Sequence, residues 1–131
     1  MLNNIKISKN ETCLTYCFKR IDLAPDFCDY ETIDEKFNKI RFDETVNLLV
    51  GDILLWDQKI EYTYMANEII GNEIIWNMVA IKVHFAVYET NNLISDCTRH
   101  EHNPYPTIRL RKLSDINPKP AYVLRLKIVR L

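Results

Sequence analysis

Ala80-Ile81-Lys82-Val83-His84-Phe85-Ala86-Val87-Tyr88-Glu89, then Thr90-Asn91-Asn92, then Leu93-Ile94-Ser95-Asp96-Cys97-Thr98: two runs rich in β-branched and aromatic residues flank a short polar segment, the pattern of a β-hairpin. Parity makes this stretch informative about chemistry as well as fold. If Tyr88 pairs with Asn92 around a three-residue loop, His84 falls directly opposite Asp96, and opposed side chains on an antiparallel pair stand about 5 Å apart at Cβ. A slip of one residue would send the two to opposite faces. A carboxylate that holds one ring nitrogen leaves the other free to take a proton from a nucleophile. Ala86, between His84 and Tyr88 on the same face, leaves room for a helix N-terminus. The plainer alternative is a strand histidine beside a turn-proximal carboxylate.

Upstream of the hairpin, Gly51-Asp52 leads into Ile53-Leu54-Leu55-Trp56, a short apolar run that reads as a buried strand. Glu61 to Met65 and Glu73 to Met78 read as an inserted hairpin around Ile70-Gly71-Asn72. Downstream, Asn103-Pro104-Tyr105-Pro106 breaks the chain, and Thr107 to Leu110 and Tyr122 to Val129 alternate as two further strands. The N-terminal region has a different period. A helix starting near Asn10 or Thr12, both acceptable caps, carries Cys13, Leu14, Cys17, Phe18 and Ile21 on one stripe and ends before Pro25. Thr32 and Glu35 form a capping box for a second helix, with Ile33, Phe37 and Ile40 on its buried face. Helices first and strands after predict an α+β fold with an antiparallel sheet. At 131 residues the chain suits one domain, 1–131.

The nucleophile candidate follows from helix electrostatics. A free thiol titrates near 8.5, and a helix N-terminus or a neighbouring imidazolium lowers that value. Cys13 falls in the first turn, where the dipole acts. Cys17 lies one turn further in, on the core stripe. Cys28 sits in the following loop, and strand alternation points Cys97 away from Asp96. Core packing is the competing reading for Cys13, since cysteine is among the most buried residue types.

Composition narrows the classes. The chain is 47% hydrophobic and 27% charged with a formal net charge of −1, which describes a globular protein and implies neither nucleic acid nor membrane. The charge is unevenly placed. From Arg99 onward eight Lys or Arg face only Glu101 and Asp115, an asymmetry that marks a basic surface or simply cations on solvent-facing strand positions. No apolar run approaches a membrane span, and Met1 to Lys9 lacks the apolar centre of a signal peptide. The expected location is cytoplasmic, or outside the cell by a route needing no cleaved signal. Four cysteines without Cys-x-x-Cys spacing are expected to be reduced. Two glycines in the whole chain rule out a phosphate-binding glycine loop. No cofactor is expected. Cys97, His100 and His102 together fall short of an ordered metal set, so no metal is expected either. This segment leaves the sheet beside Asp96, which makes His100 and His102 candidate substrate-binding residues.

The order of these elements resembles the NlpC-type cell-wall peptidases of the papain-like superfamily. That family shows a cysteine at a helix start, a Gly-Asp-Leu-hydrophobic strand, a His-hydrophobic-Gly-hydrophobic-Tyr strand, and a polar residue on the next strand. Cys13, Gly51-Asp52-Ile53-Leu54-Leu55-Trp56, His84-Phe85-Ala86-Val87-Tyr88 and Asp96 stand in those places. The resemblance covers residues from about 10 to 98. It implies a papain-like domain with Cys13 as nucleophile, His84 as general base and Asp96 as the orienting group. It also implies that the Cys13 backbone N–H joins the oxyanion hole, and that the partner is a peptide or peptidoglycan-type amide. The chain departs from the family at Thr12, where Asp is usual, at Leu14-Thr15, where Ser-Gly is usual, and at Ala86. Two other classes stand beside the hydrolase: a non-catalytic interaction module such as an immunity or adaptor protein, and a binder of RNA or membrane surfaces using the basic C-terminal strands.

Overall fold

The computed structural model of the protein describes residues 5–23, 30–69, 72–100 and 103–127. Helix α1 (Cys13–Arg20) and helix α2 (Tyr30–Lys36) precede six strands, β1 (Phe37–Arg41), β2 (Ile53–Ile69), β3 (Asn72–Thr90), β4 (Leu93–His100), β5 (Asn103–Lys112) and β6 (Tyr122–Leu126). The strands form one antiparallel sheet in the order β1-β6-β2-β3-β4-β5. The class is α+β. No helix among the described residues is long and apolar enough to cross a membrane.

Both faces of the sheet are covered, which explains why Ile53-Leu54-Leu55-Trp56 reads as an unbroken apolar run. Alternate side chains go to opposite faces. Ile53, Leu55, Phe85, Val87 and Leu124 pack under Tyr16, Cys17 and Phe18 of α1 and Ile33 of α2. Leu54, Trp56, Ala86, Ile94 and Val123 form a second cluster with Leu113, flanked by Phe42, Val46, Leu48 and Ile116 from loops. Ala86 therefore does not make room for the helix, as its size suggested; it packs on the face away from it.

Several boundaries differ from the sequence expectation. The second helix starts at Tyr30, so Thr32 lies inside it rather than at its cap. The chain leaves the helix at Lys36, and Phe37 and Ile40 belong to an edge strand rather than to a helical face. The expected inserted hairpin is the outer half of one long β2–β3 ribbon, paired continuously from Ile53↔Val87 to Ile69↔Asn72 apart from a bulge between Met65 and Asn67. Pro104 and Pro106 do not break the chain: they fall in β5, an edge strand, where a missing ladder donor is tolerated.

The turn that sets the register is tighter than expected. Asn91 and Asn92 both have positive φ, 50° and 66°, the geometry of a two-residue hairpin loop whose twist matches the strands. Thr90 pairs with Leu93, and a bulge at Glu89 shifts the ladder to Tyr88↔Ile94 and Val87↔Ser95. The pairing is displaced by two residues from the one that sets His84 opposite Asp96. A two-residue shift preserves parity, so the two residues remain on one face as diagonal neighbours.

Two polar contacts lock α1 to this hairpin, joined by a third within it. The Tyr16 hydroxyl donates to Ser95 Oγ at 2.6 Å, Ser95 in turn donates to Glu89, and Arg20 forks onto the same Glu89 carboxylate. A second corner is tied by Asp52, which accepts from the Leu49 N–H at 2.8 Å and from Arg125 at 3.0 and 2.7 Å. The preceding Gly51 has φ +93°, a conformation that glycine adopts without steric cost.

Candidate active site

Cys13 opens α1. Thr12 caps the helix by accepting from the Thr15 N–H at 3.1 Å, while Thr15 Oγ1 accepts from the Thr12 N–H at 2.9 Å. This reciprocal cap leaves the Cys13 N–H among the first-turn donors that have no intrahelical acceptor. Cys17, one turn on, is fully buried in the apolar core, and Cys97 is buried on the helix side of the sheet. Cys28 and His102 lie outside the described residues, as does the side chain of His100 at the end of β4.

The β3–β4 ladder stops at Val87↔Ser95, although β3 stays paired with β2 and β4 with β5. The head of α1 meets β3 at this parting. The Cys13 thiol lies within interaction range of the His84 side chain and of the Phe85 and Leu14 backbone. On the other side of the ring, His84 Nε2 lies 2.7 Å from Asp96 Oδ2. With Nε2 engaged by the carboxylate, Nδ1 is left for the thiol. The imidazole thus stands between sulfur and carboxylate, and Cys13, His84 and Asp96 form one connected cluster.

Its electrostatics favour charge separation. Burial works against a thiolate at Cys13, but hydrogen bonds from His84 and from the Phe85 N–H outweigh it and bring the thiol below its ordinary value. Burial likewise works against an imidazolium at His84; the hydrogen bonds to Asp96 and Cys13 overcome it and push the ring up to about 9. Asp96 is 1% exposed. Burial alone would raise its carboxyl, yet His84 and Arg109 hold it well below the usual carboxylate range. The three shifts run together, toward a thiolate at Cys13 and an imidazolium at His84 beside an ionised carboxylate.

Three members of the site were not singled out from sequence. Arg109 grips Asp96 with Nε on Oδ1 at 3.0 Å and Nη2 on Oδ2 at 2.7 Å, and Arg111 Nη2 reaches Oδ2 at 2.7 Å. Trp56 stands directly across from His84 in the ribbon, with ring centroids 5.9 Å apart. Its indole N–H is fixed on the Pro118 carbonyl at 2.8 Å. Trp56, His84, Thr98, Arg109, Arg111 and the 116–118 loop enclose a cleft of about 310 Å³. The readable signal was Arg109-Leu110-Arg111: residues two apart share a strand face, and β5 sets Arg109 directly opposite Asp96.

These ion pairs also account for much of the basic bias after Arg99. Arg109, Arg111 and Arg125 serve buried carboxylates, Asp96 and Asp52, rather than simply facing solvent. No cluster of three or more metal-ligating side chains occurs among the described residues. The fold and the cluster define an α+β protein with a cysteine–histidine–aspartate constellation. No protein-family model, curated protein or solved structure matches the chain.

Proposed function

We propose that the protein is a papain-like thiol hydrolase that cleaves an amide bond. The observation that carries this reading is the His84 ring bridging the Cys13 sulfur and the Asp96 carboxylate. The order of elements shared with NlpC-type peptidases supports it and suggests peptidoglycan stem peptides among the substrates to try first.

In the reaction, the Cys13 thiolate attacks the amide carbonyl carbon and a carbon–sulfur bond forms. The negative charge passes to the carbonyl oxygen, where the Cys13 N–H and the positive end of α1 stabilise it. As the tetrahedral species collapses, the carbon–nitrogen bond breaks and His84 gives its proton to the departing amine. A water molecule then attacks the thioester while His84 accepts its proton. The carboxylic acid leaves, and the thiolate–imidazolium pair is restored. Asp96 holds the ring orientation throughout and remains ionised.

The test is incubation of the protein with peptide amides and stem-peptide fragments, followed by mass spectrometry for cleaved product and for an acyl group on Cys13. Product formation in the wild type, absent in Cys13→Ala, is the expected result. Absence of turnover and of acylation across the panel, with Cys13 unreactive toward small alkylating agents, would leave the non-catalytic interaction module as the better description.

A further inference from the structure

We propose that the cleft beside His84 is an oxyanion subsite, in which Arg109 and Arg111 receive a carboxylate or phosphate group of the substrate. Calling the ligand a substrate rests on the hydrolase reading; the subsite itself does not. The cluster is unbalanced in charge. Asp96 carries one negative charge and accepts from three cationic side chains, His84, Arg109 and Arg111. Even with Cys13 ionised, the cluster keeps a surplus of positive charge, and none of the described residues lining the cleft is acidic.

Asp96 cannot cancel that surplus with its single charge. Its Oδ1 takes Arg109 Nε, and its Oδ2 takes one donor each from Arg109, Arg111 and His84. The cations crowd Oδ2, with three donors against two lone pairs. Arg111 is left incompletely satisfied: its Nε is buried and has no hydrogen-bond partner. The Arg109 and Arg111 side chains are each about a third exposed and line the cleft.

Shape agrees with charge. A cleft of about 310 Å³ lies at the small end of ligand pockets and holds a side chain or a small headgroup. Trp56 supplies an apolar wall, Thr98 and Asn117 supply neutral polar groups, and the paired arginines, already holding Asp96 on one side, supply positive charge and their remaining N–H donors to a carboxylate or phosphate. Among the described residues His84 lines the cleft and Cys13 does not, so a substrate group bound there sits beside the proton donor.

The test uses the full chain and three probes: sodium succinate, inorganic phosphate and the neutral succinamide. Binding is followed by NMR at the Trp56 indole N–H and the His84 ring. Saturable shifts with succinate or phosphate but not with succinamide are expected, and whichever anion binds tighter identifies the oxyanion. Arg111→Gln should weaken binding by about tenfold or more, with Arg111→Lys intermediate because it keeps charge but loses the fork. No saturable shift in the wild type, equal shifts with succinamide, or undiminished binding in Arg111→Gln would overturn the proposal. Parallel labelling of Cys13 by iodoacetamide separates the two readings. Rapid labelling without anion binding removes the subsite and leaves the hydrolase, whereas anion binding with an inert Cys13 keeps the subsite and removes the hydrolase.

Discussion

Asp52 and Asp96 are both buried, both gripped by arginine from a neighbouring strand, and put to different use. Asp52 faces Arg125 one to one, and its remaining acceptor capacity goes to a backbone N–H in the loop before β2. Charge is balanced within the pair, Arg125 is its one titratable partner among the described residues, and the pair fastens a corner. Asp96 faces two arginines and an imidazole, beside a cleft and a half-buried thiol at a helix head. The same acid–arginine chemistry thus gives a fastener where charges cancel and a candidate reaction centre where they do not.

The comparison is broken most forcefully by exchanging which property each aspartate controls. Cys13→Ala should abolish amide cleavage, a loss of about a thousandfold or more, while leaving the melting curve close to wild type. Asp52→Ala should do the reverse. Removing one partner of a buried ion pair costs about 3–5 kcal/mol, seen as a lower denaturation midpoint, but the folded fraction should keep a reactive Cys13. Asp96→Asn should do both, since it leaves Arg109 and Arg111 unpaired and frees the His84 ring. If Asp96→Asn lowered only stability, the two aspartates would be equivalent and the distinction would fall.

A pH titration of stability sharpens the same contrast. The folded His84 ring titrates at about 9, against about 6.5 in an unfolded chain. Its raised value contributes stability that is fully present below about pH 6.5 and is lost as pH rises toward 9. The lowered Cys13 thiol works in the opposite direction, adding stability as pH rises, so denaturation midpoints of Cys13→Ala, where only the His84 contribution remains, should fall across that window more than those of the wild type. The smallest effect is expected at Ser95, which sits one residue from Asp96 on the opposite face and bridges Tyr16 to Glu89. Ser95→Ala should cost about 1–2 kcal/mol and shift Cys13 reactivity only as far as α1 is displaced.

How much of this was legible in the sequence varies by residue. The Ile53–Trp56 run reads as a doubly covered strand because hydrophobicity there lacks the alternation of a one-faced sheet. Thr12 marks the head of α1 because its hydroxyl is a natural cap, and that places Cys13 in the first turn. The relation of His84 to Asp96 needs only parity, which survives an error of two in register; the error itself came from the Glu89 bulge and the two-residue Asn91-Asn92 turn, neither of which leaves a periodic trace. Strand β1 is hidden in the sequence because Phe37 and Ile40 have the i, i+3 spacing of one helix face, whereas on β1 they point to opposite, covered faces of the sheet. Arg109 and Arg111 were missed because their role depends on a β4–β5 register across Pro104 and Pro106, and because a buried counterion and a solvent-facing cation look alike in one dimension.

The account depends above all on Cys13 sharing its proton with His84. The most direct measurement is the rate of iodoacetamide alkylation at Cys13 from about pH 5 to pH 10, followed by peptide mass spectrometry in the wild type and in His84→Ala. The thiolate–imidazolium pair predicts rapid labelling already near pH 6 and a loss of about tenfold or more in the variant, whose profile should move up toward that of an ordinary thiol. Labelling that rises only near pH 8.5 in both proteins would contradict it.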